Sequence, residues 1–193
     1  MDISEKIKII ASYFQQRDET IKKKHGKPFF NTTHGIWGAS SIIDAYELFL
    51  KMRLEEYHDF VDLGSGDGRI VFVAALFTNA TGIEADEQLH NIAEQAKHDL
   101  QEQIPEFKRC TLRYADYSKE DLTSYDVPFT FADHHWNEEF EEKLLTTVHG
   151  VLLSYNKIFL PKKLKKGKTY WIQQLPIISY HLNIQEKNIF QRL

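Results

Sequence analysis

One glycine-rich stretch constrains the fold of this chain more than any other feature: residues 61–70, which read VDLGSGDGRI. An apolar run that ends at Asp62-Leu63 is typical of a buried strand, and the apolar run Ile70–Phe77 indicates a helix. Glycines between them allow a tight turn and a close approach of a ligand to the backbone. The N–H groups at the start of a helix favour a polar or anionic ligand group. The stretch therefore predicts the first unit of a nucleotide-binding α/β sheet.

The glycine spacing narrows the choice of nucleotide. A dinucleotide fingerprint needs a third glycine at position 69, where this chain has Arg69, and no P-loop motif is present. The sequence has instead D-x-G-x-G-x-G, which starts at Asp62. This pattern resembles the first motif of class I S-adenosylmethionine-dependent methyltransferases. The resemblance implies S-adenosyl-L-methionine as the cofactor and disfavours a nucleotide-dependent oxidoreductase.

Composition sets the broad class of protein. A chain of 193 residues with 42% hydrophobic residues is sufficient for one domain with a substantial core. A net charge of −4 argues against strong non-specific binding to nucleic acid. The single Cys110 excludes an internal disulfide. With no apolar run of about 20 residues and no signal-peptide pattern, we expect a cytoplasmic, monomeric protein without membrane contact.

The first 56 residues are expected to form N-terminal helices and a lid segment. Apolar spacing predicts an amphipathic helix over 3–25, and Ser40 or Ser41 is the expected cap of a helix that starts near Ile42. Between them, residues 28–41 read as an irregular loop. The resemblance implies that His34–Gly38, including Trp37, covers the methionine end of the cofactor. The alternative is that Trp37 only fills the core.

Residues 57–193 show alternating strand and helix patterns. The predicted strands are His58–Leu63, Ala80–Glu84, Cys110–Tyr114, Phe129–Ala132 and Gly150–Tyr155, and the predicted helices are Arg69–Phe77, Glu87–Leu100 and Asn137–Val148. Two further strands, Tyr170–Leu175 and Ile177–Ile184, are expected on either side of Pro176. The fold class is therefore α/β: a doubly wound, mostly parallel seven-stranded sheet of Rossmann-like methyltransferase type, within a single domain 1–193. The terminal β-hairpin is the addition that the resemblance implies.

Acidic residues follow four predicted strands, at Asp62, Glu84, Asp116 and Asp133. Ligands bind beyond the carboxyl ends of such strands, and buried acids are costly without a partner. Glu84 can accept hydrogen bonds from both ribose hydroxyls. Its alternative role, capping the next helix, suits Asp86 better.

The resemblance assigns further cofactor contacts. It implies that Asp116 accepts the adenine amino proton while Tyr117 frames the ring, although Asp116 could instead only form a turn. Asp62 would hold the glycine loop or reach the cofactor's amino group through water. The remaining predicted contacts are Gly64, Ser65, Gly66 and Gly68.

The acceptor is expected near the end of the fourth strand, at Asp133-His134-His135-Trp136. Enzymes that methylate nucleic-acid amines usually have N/D/S-P-P-Y/F/W at this place, so two His in place of Pro disfavour that reaction. We predict Asp133, His134 and Trp136 as catalytic residues, with at most one of the two His facing the cofactor. A metal site from these residues and His34 lacks a ligand-spacing motif, so no metal is predicted.

The chain most resembles small seven-strand protein-lysine methyltransferases, including the Dot-type histone enzymes. The resemblance is close at Asp62–Ile70 and general elsewhere, and it implies a protein substrate with a lysine acceptor. Two alternatives stay open at this point. One is methylation of RNA or a small molecule, with phosphates contacted by Lys162–Lys168 and Lys22–Lys24. The other is a catalytically inactive, cofactor-binding partner subunit.

Overall fold

A computed structural model describes residues 1–26, 29–32, 35–155 and 158–183 of the chain. Helix α1, Ile3–His25, starts with a capping box in which Asp2 and Glu5 satisfy each other's backbone N–H. Its buried residues Ile7, Ile10 and Phe14 recur every three or four positions, so one face of the helix packs on the core. The predicted helix over 3–25 is confirmed.

The segment after α1 is more regular than predicted. Strands β1, Phe29–Asn31, and β2, Ile36–Gly38, pair antiparallel as a small separate sheet. The expectation of an irregular loop is therefore wrong for these residues. Ser41, not Ser40, caps helix α2, Ile42–Met52, and accepts a hydrogen bond from the backbone of Asp44.

The rest of the described chain forms a seven-stranded sheet with helices and short connections. The strands are β3 Asp59–Leu63, β4 Asn79–Glu84, β5 Cys110–Tyr114, β6 Val127–Thr130, β7 Gly150–Ser154, β8 Lys165–Ile172 and β9 Leu175–Leu182. The helices are α3 Arg69–Ala74, α4 Glu87–Leu100 and α5 Glu138–Thr147. Single turns of 3₁₀ helix occupy Leu54–Glu56 and Pro105–Arg109.

The strand order is β5-β4-β3-β6-β7-β9-β8. Strands β3 to β7 are parallel, and β9 runs antiparallel between β7 and β8. This confirms the predicted doubly wound, mostly parallel sheet with a terminal hairpin. The chain winds outward in both directions from β3, so β3 and β6 flank the point where ligands bind in such sheets.

Several helix and strand boundaries in the structure differ from the predicted ones. The helix expected over Arg69–Phe77 ends at Ala74, and the fourth strand lies two residues earlier than expected, which leaves Ala132 outside it. Pro176 lies inside β9, not between the strands: it pairs with Trp171 of β8, and among the described residues the pairing of β9 with β7 begins only at Ile178. The turn falls instead at Gln173, whose φ is +53°. Ile184 lies outside the described residues.

The basic stretch Lys162–Lys168 overlaps the first strand of the hairpin, which starts at Lys165 and not, as predicted, at Tyr170. Lys165, Lys166 and Lys168 belong to β8, an outermost strand of the described sheet. Lys163 lies near Glu138 and Glu142, at 3.6 and 3.2 Å. Only part of the stretch is therefore an unneutralised cationic surface.

Aromatic side chains fill the core between α1, α2 and the sheet. Phe49 packs edge-on against Phe60, with ring centroids 5.3 Å apart, and Phe72 stacks on Phe107 at 4.8 Å. All four of these side chains are buried. Within the described part of the chain, no helix combines the length and apolarity that crossing a membrane requires.

Gly150 provides a test of how tightly the sheet is packed. A Cβ at this position would lie 1.9 Å from the backbone oxygen of Asp126. That oxygen also accepts a hydrogen bond from Val151, so it cannot retreat without loss of the bond. We expect Gly150→Ala to lower the free energy of unfolding by about 2–3 kcal/mol in urea. Gly38→Ala is the control, because a Cβ there has 3.8 Å of clearance; equal stability of the two variants would contradict the packing.

Candidate functional site

A cavity of about 370 Å³ opens at the carboxyl ends of β3, β4, β5 and β6. The small sheet β1–β2 forms its wall on one side, and residues before and within α5 form the other. Thr32, Gly35, Ile36 and Trp37 come from the β1–β2 segment, and Trp136, Asn137 and Phe140 come from the α5 side. The volume is in the range of small-molecule sites.

The glycine turn after β3 brings bare backbone to this cavity. Gly64 and Gly66 both line it and have φ values of +82° and +56°, which a residue with a Cβ adopts only under strain. The Gly66 N–H donates to Glu84 Oε2 at 2.7 Å, so the turn is tied to the end of β4. The indole Nε1 of Trp37 lies 2.7 Å from the point where a Cβ on Gly66 would be. No larger residue fits at position 66.

Glu84 is held in place by two backbone donors. Its Oε2 accepts from Gly66, its Oε1 accepts from Asp86 at 2.8 Å, and the residue is 7% exposed. Each oxygen keeps a further lone pair toward the cavity that the residue lines. A fixed, charged carboxylate of this kind suits a pair of ligand hydroxyl groups.

One strand further along, Asp116 and Tyr117 line the same cavity. Asp116 accepts hydrogen bonds from the backbone and hydroxyl of Ser118, at 3.0 and 2.6 Å. These hydrogen bonds outweigh desolvation and lower the pKa of Asp116. The Tyr117 ring packs on Phe140 with centroids 5.2 Å apart and is half-buried. A planar apolar surface therefore lies beside a hydrogen-bond acceptor.

Asp133, just beyond β6, lines the opposite part of the cavity. Its Oδ2 accepts from the backbone of Ile36 at 2.9 Å, and its Oδ1 lies 2.5 Å from His134 Nδ1. Partial burial raises the pKa of Asp133, but these two partners outweigh it and the net shift is downward. Asp133 thus joins the β1–β2 segment to the sheet and holds a His side chain at the cavity mouth.

Trp136 lines the cavity at the same end as Asp133 and His134. Its indole Nε1 donates to the backbone oxygen of Phe159 at 2.8 Å, and its ring stacks on Phe140. His135 lies outside the cavity lining and packs edge-on against the Phe159 ring, 5.2 Å away. Of the two adjacent His residues, only His134 lines the cavity.

The structure brings together most of the predicted site residues. Those that line the cavity are Trp37, Gly64, Gly66, Glu84, Asp116, Tyr117, Asp133, His134 and Trp136. Three predicted cofactor contacts, all within the described residues, are not part of the lining: Asp62, Ser65 and Gly68. The Ser65 hydroxyl faces Gly82, where a Cβ would lie 2.7 Å away. His34 lies outside the described residues.

Asp62 is a buried acid behind the glycine turn. It is 3% exposed, and burial raises its pKa well above the ordinary range, with the charges of Glu84 and Asp67 adding to the shift. Such a group destabilises the folded state when it is ionised.

Sequence reasoning did not single out two apolar residues of the lining, Ile36 and Phe131, which are 58% and 53% exposed. Ile36 lies within the predicted cover His34–Gly38, whereas Phe131 was missed, and its only sequence signal is its proximity to Asp133. Among the described residues, no three His, Cys, Asp or Glu side chains converge as metal ligands would.

Comparison with known proteins places this site in context. A family model described as histone methylation protein DOT1 matches residues 17–162. A sequence comparison with curated proteins finds no match.

Solved structures share the fold at low sequence identity. An RNA methyltransferase from Salinibacter ruber, in complex with S-adenosyl-L-homocysteine, is similar with a TM-score of 0.62 and 21% identity, over 77% of this chain and 97% of that one. A methyltransferase from Geobacter sulfurreducens has a TM-score of 0.60 and 15% identity, over 86% and 87%. A SAM-dependent O-methyltransferase from Thermotoga maritima has a TM-score of 0.54 and 16% identity, over 77% and 68%.

The buried carboxyl of Asp62 makes a prediction about pH. Because its pKa is higher in the folded than in the unfolded chain, its contribution to stability is complete at low pH and is lost as the pH rises through the folded pKa. We expect Asp62→Asn to be increasingly more stable than the wild type as the pH is raised from 5 to 8, in urea unfolding. Asp59→Asn, at the half-buried start of the same strand, is the control. Parallel stability curves for Asp62→Asn and wild type would contradict a raised pKa.

Proposed function

Because the chain belongs to the DOT1 family of histone methylation proteins, and is thus an S-adenosylmethionine-dependent methyltransferase, we propose that it methylates the side-chain amine of a protein lysine. The family model spans residues 17–162, which include the whole glycine turn and every acid of the cavity. The acceptor has to be inferred from the chemistry of the residues that line the cavity.

The described residues fit the cofactor S-adenosylmethionine. The bare backbone at Gly64 and Gly66 would hold its methionine part, Glu84 its ribose hydroxyls, and Asp116 with Tyr117 its adenine. Neighbouring strands lie about 4.8 Å apart, and β5 and β6 are three positions apart in the sheet, so the strand ends that precede Asp116 and Asp133 are about 14 Å apart. When bound, S-adenosylmethionine supplies an electrophilic methyl group on a positively charged sulfur.

The charge of the cavity is the observation that carries the lysine proposal. With Glu84 and Asp116 assigned to the cofactor, Asp133 is the carboxylate left at the acceptor end, and none of the described lining residues is Lys or Arg. Such a lining attracts a cationic side chain and repels the phosphates of a nucleic acid. A lysine acceptor therefore suits this cavity better than an RNA base.

Asp133 and His134 are placed to receive the acceptor. Asp133 stays ionised at neutral pH because its pKa is lowered, so it can pair with an incoming ammonium group. An amine has to lose a proton before it can act as a nucleophile. With His134 Nδ1 donating to Asp133, the lone pair is on Nε2, which can take that proton and release it to solvent from a side chain that is 66% exposed.

The rim around the mouth supports a protein acceptor. Ile36 and Phe131 both line the cavity and are 58% and 53% exposed. Exposed apolar residues gathered at one place are typical of protein-binding surfaces. An apolar rim around an acidic cavity suits a lysine on a polypeptide.

Transfer of a labelled methyl group tests the proposal directly. The protein is incubated with methyl-tritiated S-adenosylmethionine and cell extract, and portions are then treated with protease or ribonuclease. We expect macromolecular label that ribonuclease leaves intact, that protease releases, and that acid hydrolysis recovers as methyl-lysine. Purified core histones are a second probe, since the family description names histones.

The same experiment distinguishes the alternatives. Label that ribonuclease releases would overturn the lysine proposal in favour of RNA, for which Lys165, Lys166 and Lys168 on β8 would be the phosphate contacts. Label in a small molecule would overturn it in favour of that substrate class. Cofactor binding without any transfer would favour an inactive partner subunit.

Two variants at opposite ends of the cavity separate acceptor from cofactor recognition. Asp133→Asn removes the charge that pairs with the amine, so we expect kcat/KM for the labelled acceptor to fall about 100-fold while the affinity for S-adenosylhomocysteine changes little. Asp116→Asn is the matched variant and should weaken S-adenosylhomocysteine binding about 10-fold. Both are measured by calorimetry and by initial rates. Loss of cofactor affinity in Asp133→Asn would contradict its assignment to the acceptor end.

A further inference from the structure

Arg69 is a buried cation beside the candidate site. It is the first residue of α3, directly after the glycine turn, and it is 4% exposed. Its side chain does not line the cavity. Burial lowers the pKa of Arg69, but Asp67 and Asp18 outweigh this effect and the net shift is upward. The guanidinium is therefore a permanent charge held by two carboxylates.

Two elements that are distant in sequence meet at this guanidinium. Asp18 on α1 accepts from Nη2 at 2.6 Å and from Nη1 at 3.0 Å. Asp67, within the glycine turn, accepts from Nε at 3.0 Å and from Nη2 at 2.7 Å. The carbonyl of Ser40 accepts the remaining Nη1 proton at 3.4 Å. All five N–H donors of the guanidinium thus have an acceptor, which fixes its plane.

The fixed guanidinium in turn supports Trp37. Its central carbon lies 4.8 Å from the ring centroid of Phe14 on α1 and 5.5 Å from that of Trp37 on β2. Trp37 is 7% exposed and packs against Gly66, whose N–H holds Glu84. A continuous set of contacts therefore leads from Asp18 through Arg69 and Trp37 to the residues that line the cavity.

We infer that Arg69 is a positioning residue for cofactor binding, which couples α1 to the glycine turn by holding Trp37 against Gly66. Helix α1 contributes none of the described residues that line the cavity, yet this contact makes it part of the cofactor site. The inference rests on the cofactor and not on the lysine acceptor. If the acceptor is not a lysine, the role of Arg69 is unaffected, and if Arg69 lacks this role, the lysine proposal is unaffected.

Two side chains of α1, Asp18 and Tyr13, make polar contacts with different parts of the domain. The Asp18 contact leads to the cavity, whereas the Tyr13 hydroxyl donates at 2.8 Å to Asp99 on α4, a carboxylate that neither contacts Arg69 nor lines the cavity. Both hold α1 to the core. If α1 acted only through stability, loss of either contact would have the same effect on ligand binding.

Calorimetric titration with S-adenosylhomocysteine provides the test, with thermal unfolding as the measure of stability. We expect Asp18→Asn to weaken binding about 10-fold, whereas Tyr13→Phe changes it less than twofold. Both variants should lower the unfolding temperature by a few degrees. Arg69→Lys keeps the charge but not the planar fork and should weaken binding as Asp18→Asn does.

A double-mutant cycle tests the path through Trp37. Trp37→Phe alone should weaken binding about 10-fold, and the double variant Asp18→Asn with Trp37→Phe should be no weaker than the Trp37→Phe variant. Wild-type affinity in Asp18→Asn, equal losses in Asp18→Asn and Tyr13→Phe, or additive losses in the double variant would each overturn the inference. No binding by the wild type would overturn the cofactor assignment and the inference with it.

Discussion

The ion pairs of Arg69 with Asp18 and Asp67 are the interaction on which the geometry of the site most depends. The guanidinium and the Asp67 carboxylate are taken out of water, which is costly unless every donor is paired, while Asp18 stays 35% exposed. The pairing is complete only when α1, the glycine turn and the end of the β1–β2 segment are all in place. This interaction therefore specifies one arrangement of three segments that the hydrophobic core alone would leave less defined.

The cavity itself shows a division of electrostatic roles. Asp62 is buried with a raised pKa, whereas Asp116 and Asp133, nearer to solvent, have lowered pKa values. The acids at neighbouring strand ends differ because Asp62 is desolvated by burial and lies near the charges of Glu84 and Asp67, while Asp116 and Asp133 accept hydrogen bonds. A charged lining near the opening is thus combined with an acid behind the glycine turn that favours its neutral form.

Much of this arrangement could be predicted from local sequence. The sheet, the helix Glu87–Leu100 and the strand Cys110–Tyr114 follow from apolar periodicity, and the structure gives the last two with identical bounds. The acids at strand ends could be found because parallel strands bring their carboxyl ends to one edge. The β1–β2 pairing and the contact of Asp18 with Arg69 could not. Both depend on tertiary packing, and Asp18 and Arg69 are 51 residues apart with no periodic signal to relate them. Pro176 misled the strand boundary because local rules treat proline as a break, whereas near the start of β9 it pairs, within the described residues, with β8 alone.

The lysines of β8 have a consequence for how the molecule behaves in a crowded solution. An outermost strand presents unpaired backbone groups to which another chain can add. Strand β8 has this position in the described sheet, and Lys165, Lys166 and Lys168 are exposed along it. A second copy of the same strand would have to bring like charges together and strip them of water. The charge on β8 thus protects the sheet from growing by strand addition, whatever else those lysines contact.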